Sequence, residues 1–145
     1  MLIRTASQTD LPGLLALYAQ LHNEPIPPID ELQTLWQKIL SDPGQRVLLG
    51  IEDHETVSSC VLVIVQNLTH GGRPYALIEN VVTDRDYRKK GYATAVLNHA
   101  RDIAQRENCY KIMLMTGSKE ESTLRFYERA GYNRTDKTAF VQWLW

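Results

Sequence analysis

The residues with the most chemistry to offer lie in one stretch, Ile78-Glu79-Asn80-Val81-Val82-Thr83-Asp84-Arg85-Asp86-Tyr87-Arg88-Lys89-Lys90-Gly91-Tyr92-Ala93. An apolar strand pattern runs into a basic turn containing glycine, and the turn opens a helical pattern. Three effects coincide at such a point. The first N–H groups of a helix have no intrahelical acceptor. The helix dipole places partial positive charge at the same end. Arg88, Lys89 and Lys90 add full charges. Gly91 and Ala93 are small, so a phosphate can approach the backbone. Together these features predict a phosphate cradle at a helix start. A solvated basic loop explains the turn alone equally well, because short glycine patterns are weak signals. The stretch holds neither a Gly-x-x-x-x-Gly-Lys-Ser/Thr loop nor Gly-x-Gly-x-x-Gly, which argues against an ATPase or a dinucleotide enzyme.

The elements around this stretch follow from hydrophobic spacing. Residues 2–5 read as a first strand. Thr9-Asp10 caps a helix whose stripe is Leu11, Leu14, Leu15, Tyr18 and Leu21. A proline-rich loop, residues 22–28, cannot be helical. A second amphipathic helix carries Ile29, Leu32, Leu35, Trp36 and Ile39 on one face and stops at Asp42-Pro43-Gly44. Strands are expected at 47–51, 56–66 and 75–83, joined by a polar turn at 52–55 and a hairpin loop at 67–74. Ala93, Val96, Leu97, Ala100, Ile103 and Ala104 mark the helix that follows Gly91. A strand at 112–115, a helix at 121–130 closed by Gly131, and one or two strands over 132–145 complete the chain. The order β-α-α-β-β-β-α-β-α-β, with room for one strand more, predicts an α/β (α+β) fold with a mixed sheet.

Length and composition frame this reading. The chain has 145 residues, 43% of them hydrophobic and 23% charged, enough for one core and one domain over residues 1–145. No apolar run approaches the ~18 residues of a membrane span, and residues 1–4 lack a leader pattern, so a soluble cytoplasmic protein with no membrane partner is expected. Cys60 and Cys109 are too few for a disulfide framework or a metal site, and His22, His54, His70 and His99 have no ligand spacing, so no metal is expected. The net charge is −1, which argues against a nucleic-acid partner. Residues 1–72 carry three basic and eight acidic side chains, and residues 73–145 carry thirteen and nine, so an anionic ligand belongs on the second half.

Arg88-Lys89-Lys90-Gly91-Tyr92-Ala93 resembles the Arg/Gln-x-x-Gly-x-Gly/Ala signature of the GNAT N-acetyltransferase family, and stands between the fourth strand and the following helix as it does there. Phe126-Tyr127-Glu128-Arg129-Ala130-Gly131-Tyr132 is similar to that family's second motif, and Ile3-Arg4 with Asp10-Leu11 to its opening. The resemblance spans the chain. It implies the GNAT fold: a mostly antiparallel six- or seven-stranded sheet, helices on both faces, and splayed fourth and fifth strands. Two departures stand out. Glu120 occupies a position where many members carry asparagine, and Lys89 one where they carry glycine.

The resemblance also implies a reaction. Acetyl-CoA is the co-substrate, and its acetyl group passes directly to a primary amine. The pyrophosphate lies on the backbone of Arg88, Lys89, Lys90, Gly91, Tyr92 and Ala93, with Thr94 in the first helical turn. The pantetheine arm adds to the strand edge at Val81, Val82 and Thr83. Tyr127 is the implied acid for the departing sulfur. Glu79 is the candidate base: strand alternation points it to one face within an apolar run, where a carboxylate must be paired or wet, and points Asn80 to the other. A salt-bridged glutamate, or one ordering water, fits the same position.

The acceptor is expected to be a small-molecule amine chosen by the loops at 22–28, 67–74 and 134–138. Ile78-Glu79-Asn80-Val81-Val82, Cys109-Tyr110-Lys111-Ile112 and Phe126-Tyr127-Glu128 resemble glucosamine-phosphate N-acetyltransferases, but these pieces are mostly framework. A protein lysine or N-terminal acetyltransferase and a non-catalytic CoA-binding module are the alternatives. Trp143 and Trp145 close a terminal strand whose apolar edge suits a homodimer or ordinary packing.

Overall fold

A computed structural model describes residues 1–22 and 24–145. Five strands form one sheet in the order β1-β2-β3-β4-β5, with β1 Leu2–Thr5, β2 Gln45–Glu52, β3 Glu55–Val65, β4 Tyr75–Thr83 and β5 Ile112–Leu114. The first four pair antiparallel in sequence order, and β4 pairs β5 in parallel. The helices are α1 Leu11–Tyr18, α2 Ile29–Ser41, the single distorted turn α3 Thr69–Gly72, α4 Tyr92–Arg106 and α5 Glu121–Arg129.

Strand alternation builds two cores. On one face Leu48, Cys60, Leu62 and Ile78 meet the α4 stripe of Val96, Leu97, Ala100, Ile103 and Ala104. On the other, Val47, Leu49 and Val61 meet Leu11 and Leu14 of α1 and Trp36 of α2. Leu48 and Leu49 are both fully buried, in opposite layers, as a period of two requires. The β2–β3 hairpin closes on Asp53 and His54, both left-handed (φ 50° and 66°), the geometry of a tight two-residue turn.

The structure departs from the expected elements in two places. Helix α1 stops at Tyr18, because Gln20 N–H and Leu21 N–H turn to the carbonyls three residues back, Leu17 (3.0 Å) and Tyr18 (2.9 Å). The 67–74 connection is a hairpin loop as expected: His70 and Gly71 are left-handed, so α3 is a turn rather than a helix. The sheet has five strands among the described residues, not six or seven. Among the described residues no backbone hydrogen bond joins 133–145 to the sheet, and all of those residues are exposed.

The N-terminal strand is fastened to the first helix by one charged knot. Arg4 donates from both Nη atoms to Asp10, at 2.7 and 2.9 Å, and Ser7 N–H donates to the same carboxylate. The Arg4 hydrogen bond, with further help from Ser7, lowers the Asp10 pKa to about 2. A depressed carboxylate stabilises the fold above its unfolded pKa and loses that contribution as pH falls through the folded value. Asp10→Asn should therefore lower stability by ~1–2 kcal/mol at neutral pH. In denaturant titrations, the gap between wild type and variant should close as pH drops from about 4 to about 2.

Candidate active site

The site begins where two strands part. Strand β5 pairs β4 only at Ala76, Leu77 and Ile78. Two residues later Asn80 is left-handed (φ 52°), and the β3–β4 register shifts between Ser59 and Val61. This is a β-bulge, which bends the strand that carries it. From Glu79 to Thr83 the outer edge of β4 thus has no strand partner among the described residues. Val82 is buried, and Val81 and Thr83 are half-buried. The Ser58 hydroxyl donates to the Val82 carbonyl (3.1 Å) and pairs with the Thr83 hydroxyl (2.8 Å), which ties this stretch to β3 and leaves the far edge open.

The bulge also changes where Glu79 and Asn80 point. Glu79 faces Val61 across the ladder, and Val61 belongs to the α1/α2 layer. Asn80 lines a cleft beside α1, on that same side, instead of facing the other way. Glu79 is exposed, so its carboxylate is wet and needs no buried partner. The burial argument for its role falls away, while its position beside the cleft stays.

Beyond Thr83 the chain makes a held turn. Asp84 accepts from Asp86 N–H (2.8 Å) and from the Gln20 side-chain amide (2.9 Å), bonds that lower its pKa. Gln20 in turn accepts from Arg85 N–H (3.0 Å). Arg88 Nε donates back to the Thr83 carbonyl (3.1 Å). Lys90 Nζ donates to the Asp86 carbonyl (3.0 Å) and stands over the Tyr87 ring. Lys89 makes no hydrogen bond or ion pair among the described residues. Lys89 and Gly91 are left-handed (φ 60° and 88°), and Gly91 is the residue before α4.

The first helical bond of α4 runs from Ala95 N–H to the Gly91 carbonyl (3.0 Å). Tyr92, Ala93 and Thr94 therefore present N–H groups with no helical acceptor. A Cβ built on Gly91 would meet nothing within 4 Å, so the approach is open. The cradle fits a phosphate in backbone geometry and charge. Tyr92 contributes its backbone, since its ring packs edge-on against Tyr87 (5.6 Å) and burial, then Glu52, raises its pKa.

Tyr127 reaches the fork from α5. It packs with Val81 and Leu114 on the α4-side core, edge-on to Phe126 (5.1 Å) and Tyr132 (6.3 Å). Burial raises its pKa, so the phenol is a proton donor at neutral pH, and its hydroxyl has no hydrogen-bond partner among the described residues. Burial likewise pushes Tyr132 up to about 12 and the Cys60 thiol up to about 12, so neither serves as a base or nucleophile.

On the opposite face lies the cleft, about 270 Å³, lined by Tyr18, Leu21, His22, Glu24, Ile26 and Asn80 among others. The 22–28 loop borders it, although Asn23 falls outside the described residues. Neither 67–74 nor 134–138 contributes to its lining. Burial raises the Tyr18 pKa, against the opposing pull of hydrogen bonding with Asn80. A second cleft, about 330 Å³ between Thr5, Arg46, His99 and Arg106, lies away from the fork. Among the described residues no cluster of metal-ligating side chains gathers.

Two features escaped the sequence reading: Gln20, which braces the turn, and Tyr18, read only as a core residue, which lines the cleft. Gln20 lies 64 residues from Asp84 and left no local signal. Gly91→Asp tests the cradle. It sets bulk and negative charge where an anion would lie; the left-handed backbone (φ 88°) adds local strain at the turn, while no core side chain is within 4 Å of the new Cβ. Calorimetric titration with coenzyme A should show at least tenfold weaker binding, with an unchanged circular dichroism spectrum.

Residues 11–132 match the acetyltransferase (GNAT) family. The glucosamine 6-phosphate N-acetyltransferase of Trypanosoma brucei brucei is 35% identical over 81 residues, 56% of this chain and 53% of that protein. Streptothricin acetyltransferase A of Bacillus subtilis (strain 168) is 40% identical over 55 residues, 38% of this chain and 32% of that protein. The chain thus spans about half and about a third of the length of these curated relatives. A solved structure from Agrobacterium tumefaciens str. C58, named only provisionally as an acetyltransferase, superposes with a TM-score of 0.93 at 37% identity, covering 99% of this chain and 100% of its own. The matched span holds the fork, the basic turn and Tyr127, and the chain belongs to the acetyltransferase (GNAT) family.

Proposed function

We propose that this chain, as one domain over residues 1–145, moves the acetyl group of acetyl-CoA to the primary amine of a small molecule by direct transfer. The observation that carries the reading is the unpaired edge of β4 leading straight into the turn at Gly91. An amide-bearing chain can add to such an edge as a strand would. Val81, Val82 and Thr83 would hold the pantetheine arm. The N–H groups and charges from Arg88 to Thr94 would hold the pyrophosphate. Fixing the thioester there supplies orientation, the largest part of what a bimolecular acyl transfer needs.

The chemistry is attack of a neutral amine on the thioester carbonyl. The new C–N bond forms, the C–S bond breaks, and the amine loses a proton. A backbone N–H at the β4 edge would stabilise the oxyanion. Tyr127 donates its phenolic proton to the departing sulfur. Glu79, wet and on the cleft side, takes the ammonium proton through water. The acceptor enters between Tyr18 and Asn80. The cleft lining contains Glu24 and no lysine or arginine. That composition suits a cationic amine with an apolar body better than a phosphosugar, although a relative's name specifies glucosamine 6-phosphate. The proline loop beside the cleft favours a small acceptor over a protein lysine or N-terminus. The phenol at the fork favours an enzyme over a CoA-binding module.

Product mass spectrometry with acetyl-CoA and a panel of amines tests the reading. It should find acetylation of apolar monoamines or polyamines ahead of glucosamine 6-phosphate. Tyr127→Phe should lower kcat by ~10²–10⁴-fold, with coenzyme affinity and Tm nearly unchanged. A turnover within about twofold of wild type, with chemistry rate-limiting, removes Tyr127 from the mechanism. Glu79→Gln should lower turnover mainly at low pH, where most of the amine is protonated. An unchanged pH–rate profile assigns that proton to water alone.

A further inference from the structure

One buried hydroxyl goes unused by the fold. Ser59, in the middle of β3, is fully buried, and its Oγ has no hydrogen-bond partner among the described residues. No other buried side-chain nitrogen or oxygen is left unpaired among those residues. A buried polar group without a partner destabilises the protein that keeps it, so its presence calls for an explanation.

The serine before it shows the contrast. Ser58 points to the α4 face, opposite Gly50 where Val96 approaches. Its hydroxyl is bonded there to the Val82 carbonyl and the Thr83 hydroxyl. Strand alternation turns Ser59 to the other face. It sits across from Leu49 of β2, which belongs to the α1/α2 layer. That is the face on which the cleft lies.

Tyr18 connects the two. Its hydroxyl comes within reach of the Ser59 and Asn80 side chains, without a bond closing on Ser59 Oγ. Tyr18 and Asn80 both line the cleft. Asn80 is brought there by the bulge, in the stretch of β4 whose outer edge is open. Ser59, Tyr18 and the cleft thus form a line of polar groups from the interior outward, ending beside that edge.

A primary amine that attacks a thioester must keep its lone pair free and place its two N–H groups on acceptors. A phenol is ambivalent in that task. With its proton turned outward it donates to the nitrogen and blocks attack; with its proton turned inward it accepts an N–H. An acceptor behind the phenol decides between the two. We propose that Ser59 is a positioning residue for the acceptor amine, a role that rests on the acetyl-transfer reading above. When the amine binds, the Tyr18 O–H donates inward to Ser59 Oγ, and Tyr18 Oη accepts one amine N–H. The Asn80 side-chain carbonyl accepts the other. The lone pair is left facing the open edge of β4, where the thioester would lie, and the unpaired hydroxyl gains its partner only in the loaded site.

Three measurements on the intact chain test this together: steady-state kinetics with the best acceptor of the amine panel, calorimetric titration with coenzyme A, and thermal melting. Ser59→Ala should lower kcat/KM for the amine about tenfold, with coenzyme A affinity unchanged. Its Tm should hold or rise, because only an unpaired hydroxyl is removed. Tyr18→Phe should lower kcat/KM by a similar factor. The double variant should also lose about tenfold rather than a hundredfold, since the two hydroxyls act as one line. A Tm that falls in Ser59→Ala, or a variant that does not fold, means a hydroxyl bonded within the fold and overturns the proposal. So do losses that multiply in the double variant. An active wild type whose Ser59→Ala variant keeps its full kcat/KM overturns this proposal alone. A wild type that acetylates no amine overturns the acetyl-transfer reading and this proposal with it.

Discussion

Backbone hydrogen bonding is the constraint on which this structure turns. Every buried N–H and C=O requires a partner, and strands supply them to one another. In this chain β5 abandons β4 at Ile78, and the bulge at Asn80 carries β4 onward alone. The stretch Glu79–Thr83 is thus a strand with one edge satisfied by β3 and one edge open. Under the proposed function, a ligand with a peptide-like arm would meet the need, so a sheet without a deep hole could hold a long, thin molecule.

The surrounding elements serve that opening. Helix α4 is anchored by five buried side chains, so its N-terminus is fixed at the end of the open edge. The turn leading into it is held from the other layer, where Gln20 bridges Asp84 and Arg85. The positive charges sit on a backbone already shaped, so an anion bound there as proposed would cost little ordering entropy. Tyr127 comes from the α4 side of the sheet and the cleft from the α1/α2 side, so in the proposed reaction donor and acceptor would approach the fork from opposite faces.

Much of this was legible in the sequence, for reasons that are local. The α4 stripe repeats at helical spacing, the strands alternate, and the Gly91 turn sits between the two patterns, so fold and cradle follow from short-range physics. The bulge was not legible. Asparagine tolerates left-handed backbone, but whether Asn80 adopts it depends on its pairing with β3, and strict alternation therefore placed it on the wrong face. Gln20 acts across 64 residues and leaves no periodic trace. The last strand misled for a related reason. Residues 139–145 carry β-branched and aromatic side chains, but a strand also needs an edge to pair with, and among the described residues the sheet stops at five strands.

The central claim is that the open β4 edge and the turn before α4 form one continuous coenzyme site. Amide NMR on labelled protein titrated with coenzyme A tests it most directly. The account predicts the largest shifts at Val81, Val82 and Thr83 and from Arg88 to Thr94, with Gln20 following through its contact with the turn. Shifts confined to Thr5, Arg46, His99 and Arg106, or none at saturating ligand, would contradict it.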